Sequence, residues 1–457
     1  MPSRPRRVLL LHPGSLYGGQ WAQVRIAKPS LVSLFSYLQH SGVPVEVLDL
    51  QVELGNPKVD AVEEYLRRAE ELLGQREFDL LAVSCWSSLE YLASVELAGR
   101  VRAAEPSVPI VVGGYHPTAL PDDFLGTAAP FDVVVRGEGE LALVELAKSP
   151  SLVAGGRQHV VDGAPLPLDE PIVDFEGYPY ESAALQGIDL YLSRGCPYRC
   201  AFCMEGAKGS AWRAYPVDKA VELVRRAAAL KPRGIILNDA CFACRAPWRR
   251  AFLKALAEAR IDAVYWAQTR ADRLAVVDLD LLRPFEVFLQ FGVETMSPTM
   301  AAIMRKGPDG ARYVRLVDET LQAVNDRGLL AKIYLVFNHP GETRETASET
   351  VAWVERFVDS HDDLSLVFNA QAYAFFPGSE VALRRRHFET TYGARVAHPE
   401  WWREAGNHHQ LAIDIRGSVE MESGTPAVAQ VKTLFRRSQP KMSAATQLRL
   451  LQFVHQG

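Results

Sequence analysis

From Val8 onward, short runs of consecutive apolar residues alternate with longer stretches whose apolar positions recur every three to four residues. An unbroken apolar run suits a strand covered on both faces, and the recurring pattern suits a helix with one buried stripe. Candidate strands in the N-terminal part are 8–11, 45–48, 80–84, 110–113 and 133–136, with helices predicted over 30–41, 61–74 and 89–104. Alternating strand and helix implies a parallel sheet, so the fold class is α/β and residues 1–150 form a doubly wound, Rossmann-like domain. The run 163–171, rich in Gly, Pro and acids, marks a linker over 151–187. The rhythm then resumes with strands at 188–193, 234–237, 263–267, 287–291, 331–337 and 364–374 and helices at 217–230, 246–259, 313–327 and 345–359. Six such strands predict a partial (β/α)6 barrel, open on one side, over 188–384. Residues 385–457 form a small, mainly helical C-terminal region, expected to contact substrate or act as a lid, with a last helix over 443–454.

Ligands of such sheets sit beyond the carboxyl ends of the strands. In the first domain those ends carry His12-Pro13-Gly14, Asp49, Ser84-Cys85-Trp86-Ser87-Ser88, Gly113-Gly114-Tyr115-His116 and Gly137-Glu138. Gly113-Gly114 lacks the G-x-G-x-x-G pattern, so periodicity leaves a nucleotide domain and a flavodoxin-like domain both open. In the second domain the ends carry Asn238-Asp239, Gln268, Gln290, Glu294 and Asn338. Polar side chains turned into a barrel need partners, so this set predicts a polar ligand.

Composition narrows the class. At 457 residues, 48% hydrophobic, the chain can bury more than one core. Six cysteines, none gathered near the N-terminus, fit a reducing compartment, and a cytoplasmic location is expected. The apolar run behind Arg4, Arg6 and Arg7 is too short for a secretory signal, and no stretch is long enough to span a membrane. A formal net charge of −5 gives no basic field for nucleic acid.

Half of the cysteines fall in one loop, Cys196-Pro197-Tyr198-Arg199-Cys200-Ala201-Phe202-Cys203. Three thiolates at this CxxxCxxC spacing can each hold one iron of a [4Fe–4S] cube and leave the fourth iron open. A zinc knuckle is the competing reading, and it would want a fourth ligand nearby, whereas the next cysteine is Cys241. The loop, with its aromatic before the last cysteine, closely resembles the cluster loop of radical S-adenosylmethionine (radical SAM) enzymes. The segments 291–298 and 339–343 also look like signatures of that family. The resemblance implies that the open iron chelates SAM, with Phe202, Asn238, Gln268, Gln290, Glu294 and Asn338 around it.

The runs Val111-Val112-Gly113-Gly114-Tyr115-His116-Pro117-Thr118 and Val133-Val134-Val135-Arg136-Gly137-Glu138-Gly139-Glu140 resemble the cobalamin-binding domain found ahead of many radical SAM cores. That resemblance implies a corrinoid site built from His12, Pro13, Gly14, Ser84, Trp86, Ser87, Gly113, Gly114, Tyr115, His116, Gly137 and Glu138. The Asp-x-His-x-x-Gly run of domains that ligate cobalt through histidine is missing, so the lower face of the cobalt is expected to lack a protein nitrogen. Together the resemblances imply a cobalamin-dependent radical SAM methyltransferase. A 5′-deoxyadenosyl radical would take hydrogen from a carbon of a small-molecule or peptide intermediate, and methylcobalamin would supply the methyl group. The alternative is a non-methylating rearrangement or cyclisation with the same cofactors. Either needs an external electron donor of flavodoxin or ferredoxin type, and the oligomeric state stays open. Cys241 and Cys244 form a CxxC expected to line the substrate pocket, Trp401-Trp402 and His408-His409 a packed lid, and Lys432, Arg436, Arg437 and Lys441 a solvated helix face.

Overall fold

Val8–His12 (β1) is buried along its whole length and lies inside a parallel sheet. Fully burying a Val or Leu side chain is worth roughly 1.5–3 kcal/mol, so even a short apolar run holds its strand in place. In the computed structural model, described for residues 5–16, 26–149, 158–175, 177–179, 187–205, 211–405, 413–415 and 421–454, the chain forms two units. One comprises Met1–Ile188 and Glu400–Gln410, the other Asp189–Pro399 and Leu411–Gly457.

In the first unit β1 pairs with Val45–Asp49 (β2) on one side and Leu80–Ser84 (β3) on the other. Ile110–Gly113 (β4), Val133–Gly137 (β5) and His159–Gly163 (β6) continue the sheet, all parallel, in the order β2-β1-β3-β4-β5-β6. This is the flavodoxin-like order, and its ligand crevice opens where connections from β1 and β3 diverge. Helices Pro29–His40 (α1), Val62–Gly74 (α2), Tyr91–Ala104 (α3) and Glu140–Lys148 (α4) cover the sheet, with α1 against α4 and α2 against α3.

The second unit runs Gly187–Leu190 (β7), Ile235–Leu237 (β8), Val264–Thr269 (β9), Glu286–Glu294 (β10), Leu330–Phe337 (β11) and Leu366–Ala372 (β12), in spatial order β12-β11-β10-β9-β8-β7. Helices Val217–Ala229 (α5), Ala246–Ala259 (α6), Gly310–Asp326 (α7) and Arg344–Ser360 (α8) alternate with these strands. Phe368 of β12 packs edge-on against Trp353 and Phe357 of α8, which marks the helix-facing side of the sheet. Gln268, Gln290 and Lys332 share one register across β9, β10 and β11 with Val367, so they lie on the opposite, lumenal side.

Three expectations change. The linker reading of 151–187 misses β6, which pairs along its length with β5. As an edge strand it alternates half-buried and exposed residues and so lacks the continuous apolar run that marks its neighbours. Trp401 and Trp402, expected in a C-terminal lid, are buried in the first unit, where Trp402 donates from Nε1 to Asp123; His408 and His409 lie outside the described residues. Helix Met421–Ser438 (α9) packs on α8 and β12 as part of the barrel's own layer. Of the basic residues there, Lys432 and Arg436 are solvated, Arg437 pairs with Asp359, and Lys441 donates to the carbonyls of Val358 and His361 at the end of α8. A lysine is favoured at that carbonyl-rich helix terminus.

Candidate active site

In the second unit the chemistry concentrates on the loop that leaves β7. Its stem is pinned at Ser193, whose backbone N–H and hydroxyl both donate to the Asp239 carboxylate beyond β8, while Trp212 Nε1 donates to Ser193 Oγ at 3.1 Å. Burial raises the Asp239 carboxyl to about 7, and the Ser193 bonds act against that rise. The middle of the loop is held by Ala201, which donates to Met304 O at 3.0 Å and accepts from Val381 N–H at 3.1 Å. Cys196 and Cys200 stand between these anchors and Cys203 just beyond the second, all free thiols. Burial pushes Cys196 and Cys203 up to about 12 each, so they need a cation to hold them as thiolates.

Two buried cations flank the loop. Arg270, just past β9, lies 4.3 Å above the Tyr198 ring, points Nη1 at Cys200 Sγ at 3.5 Å and is paired with Asp272. It also donates to the carbonyl of Lys306. Lys306, 3% exposed, pairs with Glu294, donates to Gly292 O at 2.8 Å and sits 5.7 Å from the Phe202 ring. Burial alone would lower the Lys306 pKa, but the Glu294 charge outweighs it and holds the ammonium protonated. Glu294 occupies the left-handed region at φ 63°, beside the register shift of β10, a strained conformation of the kind found at ligand clamps.

Past β11 the chain turns at Asn338, also left-handed at φ 63°, whose N–H donates to Glu342. Burial raises Glu342 to about 8. Asn338 Oδ1 and His339 Nε2 are buried with no partner among the described residues, and the His339 ring meets Phe202 edge-on at 6.4 Å. A native protein rarely leaves two such atoms unsatisfied, so this pocket fits a polar ligand with donors of its own. Of the remaining predicted contacts, Asn238 donates to Asp189 at 2.8 Å, Gln290 accepts from Tyr334 and Gln268 stays exposed on the lumenal face. Cys241 is buried and Cys244 half-buried. Both are free thiols, and the hydrogen bond between them lowers the pKa of Cys244 and raises that of Cys241.

In the first unit the strand ends converge on His12. Its Nδ1 donates to Asp49 at 2.9 Å and its Nε2 to Glu90 at 3.2 Å, and Glu90 also accepts from the N–H groups of Trp86 and Ser87. Full burial would lower the His12 pKa, but the two carboxylates outweigh that and raise it to about 9. Both ring nitrogens of His12 are thus committed. His116 is fully buried, donates from Nε2 to Asp123 at 3.0 Å and stacks on Tyr91 at 5.2 Å between rings. Trp86, by contrast, is 42% exposed and meets Tyr115 edge-on at 5.9 Å. Gly114 sits at φ 131°, where a Cβ would fall 2.1 Å from Cys85 O, so only glycine allows the two loops to touch. The Ser15 and Ser88 hydroxyls are buried without partners among the described residues. A crevice with an exposed Trp86 against a half-buried Tyr115, close backbone and spare hydroxyls fits a broad, flat ligand with polar edges.

Comparison with known proteins bears on both sites. The B12 binding domain family model matches residues 25–147, and the Radical SAM superfamily model matches residues 190–354. The chain carries a B12-binding domain followed by a radical SAM domain. An uncharacterized methyltransferase of Pyrococcus horikoshii is 23% identical to this radical SAM protein over 61% of the chain and 64% of its own length. The anaerobic magnesium-protoporphyrin IX monomethyl ester cyclase of Cereibacter sphaeroides is 23% identical over 65% of the chain and 53% of its own length. The chain therefore spans between half and two thirds of these curated relatives. Among solved structures, the radical SAM methyltransferase TsrM of Kitasatospora setae, with tryptophan and a SAM analogue bound, superposes with a TM-score of 0.71 at 18% identity. That superposition covers 94% of the chain and 89% of TsrM, and it shows a shared fold.

Within this radical SAM protein, three soft thiols on one braced loop suit an iron-sulfur cluster. Among the described residues no three His, Cys, Asp or Glu converge as a single ion requires, while a cube spreads its ligands over separate corners. Sequence reasoning placed Arg270 at the end of a barrel strand without giving it a role, and missed Lys306 and Glu90. Glu90 follows Ser87 at the S-x-x-E spacing of a capping box, and Ser87 does cap the turn at Ser88–Glu90, so that signal was readable. The His12 pair also sets a pH dependence. Because its folded pKa is raised, its contribution is complete below pH 6.5 and is lost as pH climbs through 9, a change on the order of 3 kcal/mol. The gap in thermal midpoint between the wild-type chain and His12→Gln should narrow from pH 6.5 to pH 9.5. A gap that stays constant would contradict the His12 assignment.

Proposed function

We propose that this chain is a cobalamin-dependent radical SAM methyltransferase that methylates a carbon of a small-molecule or peptide intermediate. Cys196, Cys200 and Cys203 hold a [4Fe–4S] cluster, and Trp86, Tyr115 and the Gly114 crevice hold the corrinoid. The observation that carries the reading is one chain joining a flavodoxin-order B12 domain to a barrel whose first strand feeds a braced CxxxCxxC loop. When bound, these cofactors supply one-electron cleavage of SAM and a transferable methyl group. The chain's own residues bind and orient. Phe202, Asn338 and His339 offer an aromatic edge and two unsatisfied polar atoms to SAM. Lys306 fixes the Glu294 carboxylate, and Gln268, Gln290 and Lys332 line the lumen where a substrate would lie. His12 is braced by two carboxylates and leaves no nitrogen for cobalt. The free thiols and the oxygen sensitivity of such a cluster support a reducing, cytoplasmic location.

A second reading keeps the cofactors and replaces methyl transfer with a ring closure or rearrangement; the cyclase relative favours it. The two separate without knowledge of the substrate. Anaerobically reconstituted protein with reduced cobalamin and methyl-deuterated SAM should yield deuteromethylcobalamin and S-adenosylhomocysteine by mass spectrometry. 5′-Deoxyadenosine formed without any labelled methylcobalamin would favour the second reading.

A further inference from the structure

The CxxxCxxC loop is flanked by a strongly basic surface. Ala201, between Cys200 and Cys203, is hydrogen-bonded on one side to Met304 and on the other to Val381. The segments that follow these two residues carry Arg305 and the run Leu383-Arg384-Arg385-Arg386. Glu380 ties them together, accepting from Arg305 at 2.6 Å and from Arg384 at 2.7 Å. Arg199, in the loop itself, is exposed, as are Arg305, Arg384 and Arg386, and Arg385 is half-buried. Among the described residues no carboxylate lies within ion-pair distance of Arg199, Arg385 or Arg386. Leu383 stands in the middle of this charge at 70% exposed. On the inner side of the same helix, Arg385–Tyr392, Phe388 packs edge-on against His339, which packs against Phe202 of the loop.

A concentration of unneutralised arginine on a chain of formal net charge −5 is electrostatically conspicuous. An exposed leucine ringed by arginines is the composition of a transient docking patch: apolar centre, charged rim, little buried area. We propose that this surface docks an acidic one-electron carrier protein of the flavodoxin or ferredoxin class, which reduces the cluster. The proposal rests on the reading that Cys196, Cys200 and Cys203 hold a reducible [4Fe–4S] cluster. In the step itself the carrier is oxidised by one electron and the cluster reduced by one, with no bond made or broken; SAM cleavage later consumes that electron. Charge complementarity selects the partner, because a carrier with an acidic face is steered to this patch and the rest of the acidic surface repels it.

The test uses the reconstituted full-length holoenzyme and two reductants, dithionite and a flavodoxin kept reduced by NADPH and its reductase. Arg385→Glu/Arg386→Glu should slow flavodoxin-driven SAM cleavage at least tenfold and leave dithionite-driven cleavage unchanged. Leu383→Ser/Arg386→Gln, milder and fully at the surface, should slow it severalfold with the same selectivity. The wild-type flavodoxin-driven rate should fall steeply with added salt, and the charge-reversed variant should lose that slope. Equal loss with both reductants, or a flavodoxin-driven rate indifferent to both variants, would overturn the docking site. So would a wild-type enzyme that dithionite reduces but neither flavodoxin nor a ferredoxin does, whether the patch then serves a membrane, RNA or nothing. A wild-type protein that even dithionite cannot drive to cleave SAM would instead sink the cluster reading beneath it.

Discussion

Lys306→Met is expected to destabilise the second unit by about 3–5 kcal/mol, the usual cost of leaving a buried charge without its partner. The Lys306 side chain is 3% exposed and the Glu294 side chain 9%, so water screens neither charge. Removing the ammonium strands the Glu294 carboxylate and withdraws the donor to Gly292 O. Because both groups belong to one pair, the effects should not add. Lys306→Met combined with Glu294→Gln should recover most of the loss, since no ion is then left buried. Thermal unfolding of the full chain in a double-mutant cycle measures this. A single variant within 1 kcal/mol of wild type would contradict the expected loss.

Cys200→Ala should abolish both iron retention and SAM cleavage. In the proposed cluster each thiolate of the CxxxCxxC loop would hold a different iron, and the remaining two could not supply the third corner. Cys200 also receives Arg270 Nη1 at 3.5 Å, so its loss leaves that guanidinium facing an empty position. Cys85→Ala is the control: that thiol is fully buried in the first unit and burial raises its pKa well above normal, so it should behave as a small apolar group. Iron analysis and 5′-deoxyadenosine formation after anaerobic reconstitution read both. Equal iron in wild type and Cys200→Ala would refute the ligand assignment.

What could be read from the sequence was what is local. Strands buried on both faces announce themselves as unbroken apolar runs, and the predicted strands fall on β1 to β5 and β7 to β12 within a few residues. The cysteine loop needs only its own spacing. β6 escaped because an edge strand half open to water does not need an apolar run. The braces of the site escaped for a different reason. His12 meets Glu90 across 78 positions and Arg270 meets Cys200 across 70. Such pairs are fixed by strand order, and parallel strands are joined by long crossovers that carry no local mark of which ends will meet. Trp402 is the extreme case, reaching Asp123 across 279 positions, which is why it read as a lid.

The most direct test of the whole account is the iron, sulfide and corrinoid content of the wild-type protein reconstituted without oxygen in the presence of hydroxocobalamin. About four iron and about four sulfide per chain, with one corrinoid retained through gel filtration, is the predicted result. A colourless protein that holds neither iron nor corrinoid would contradict it.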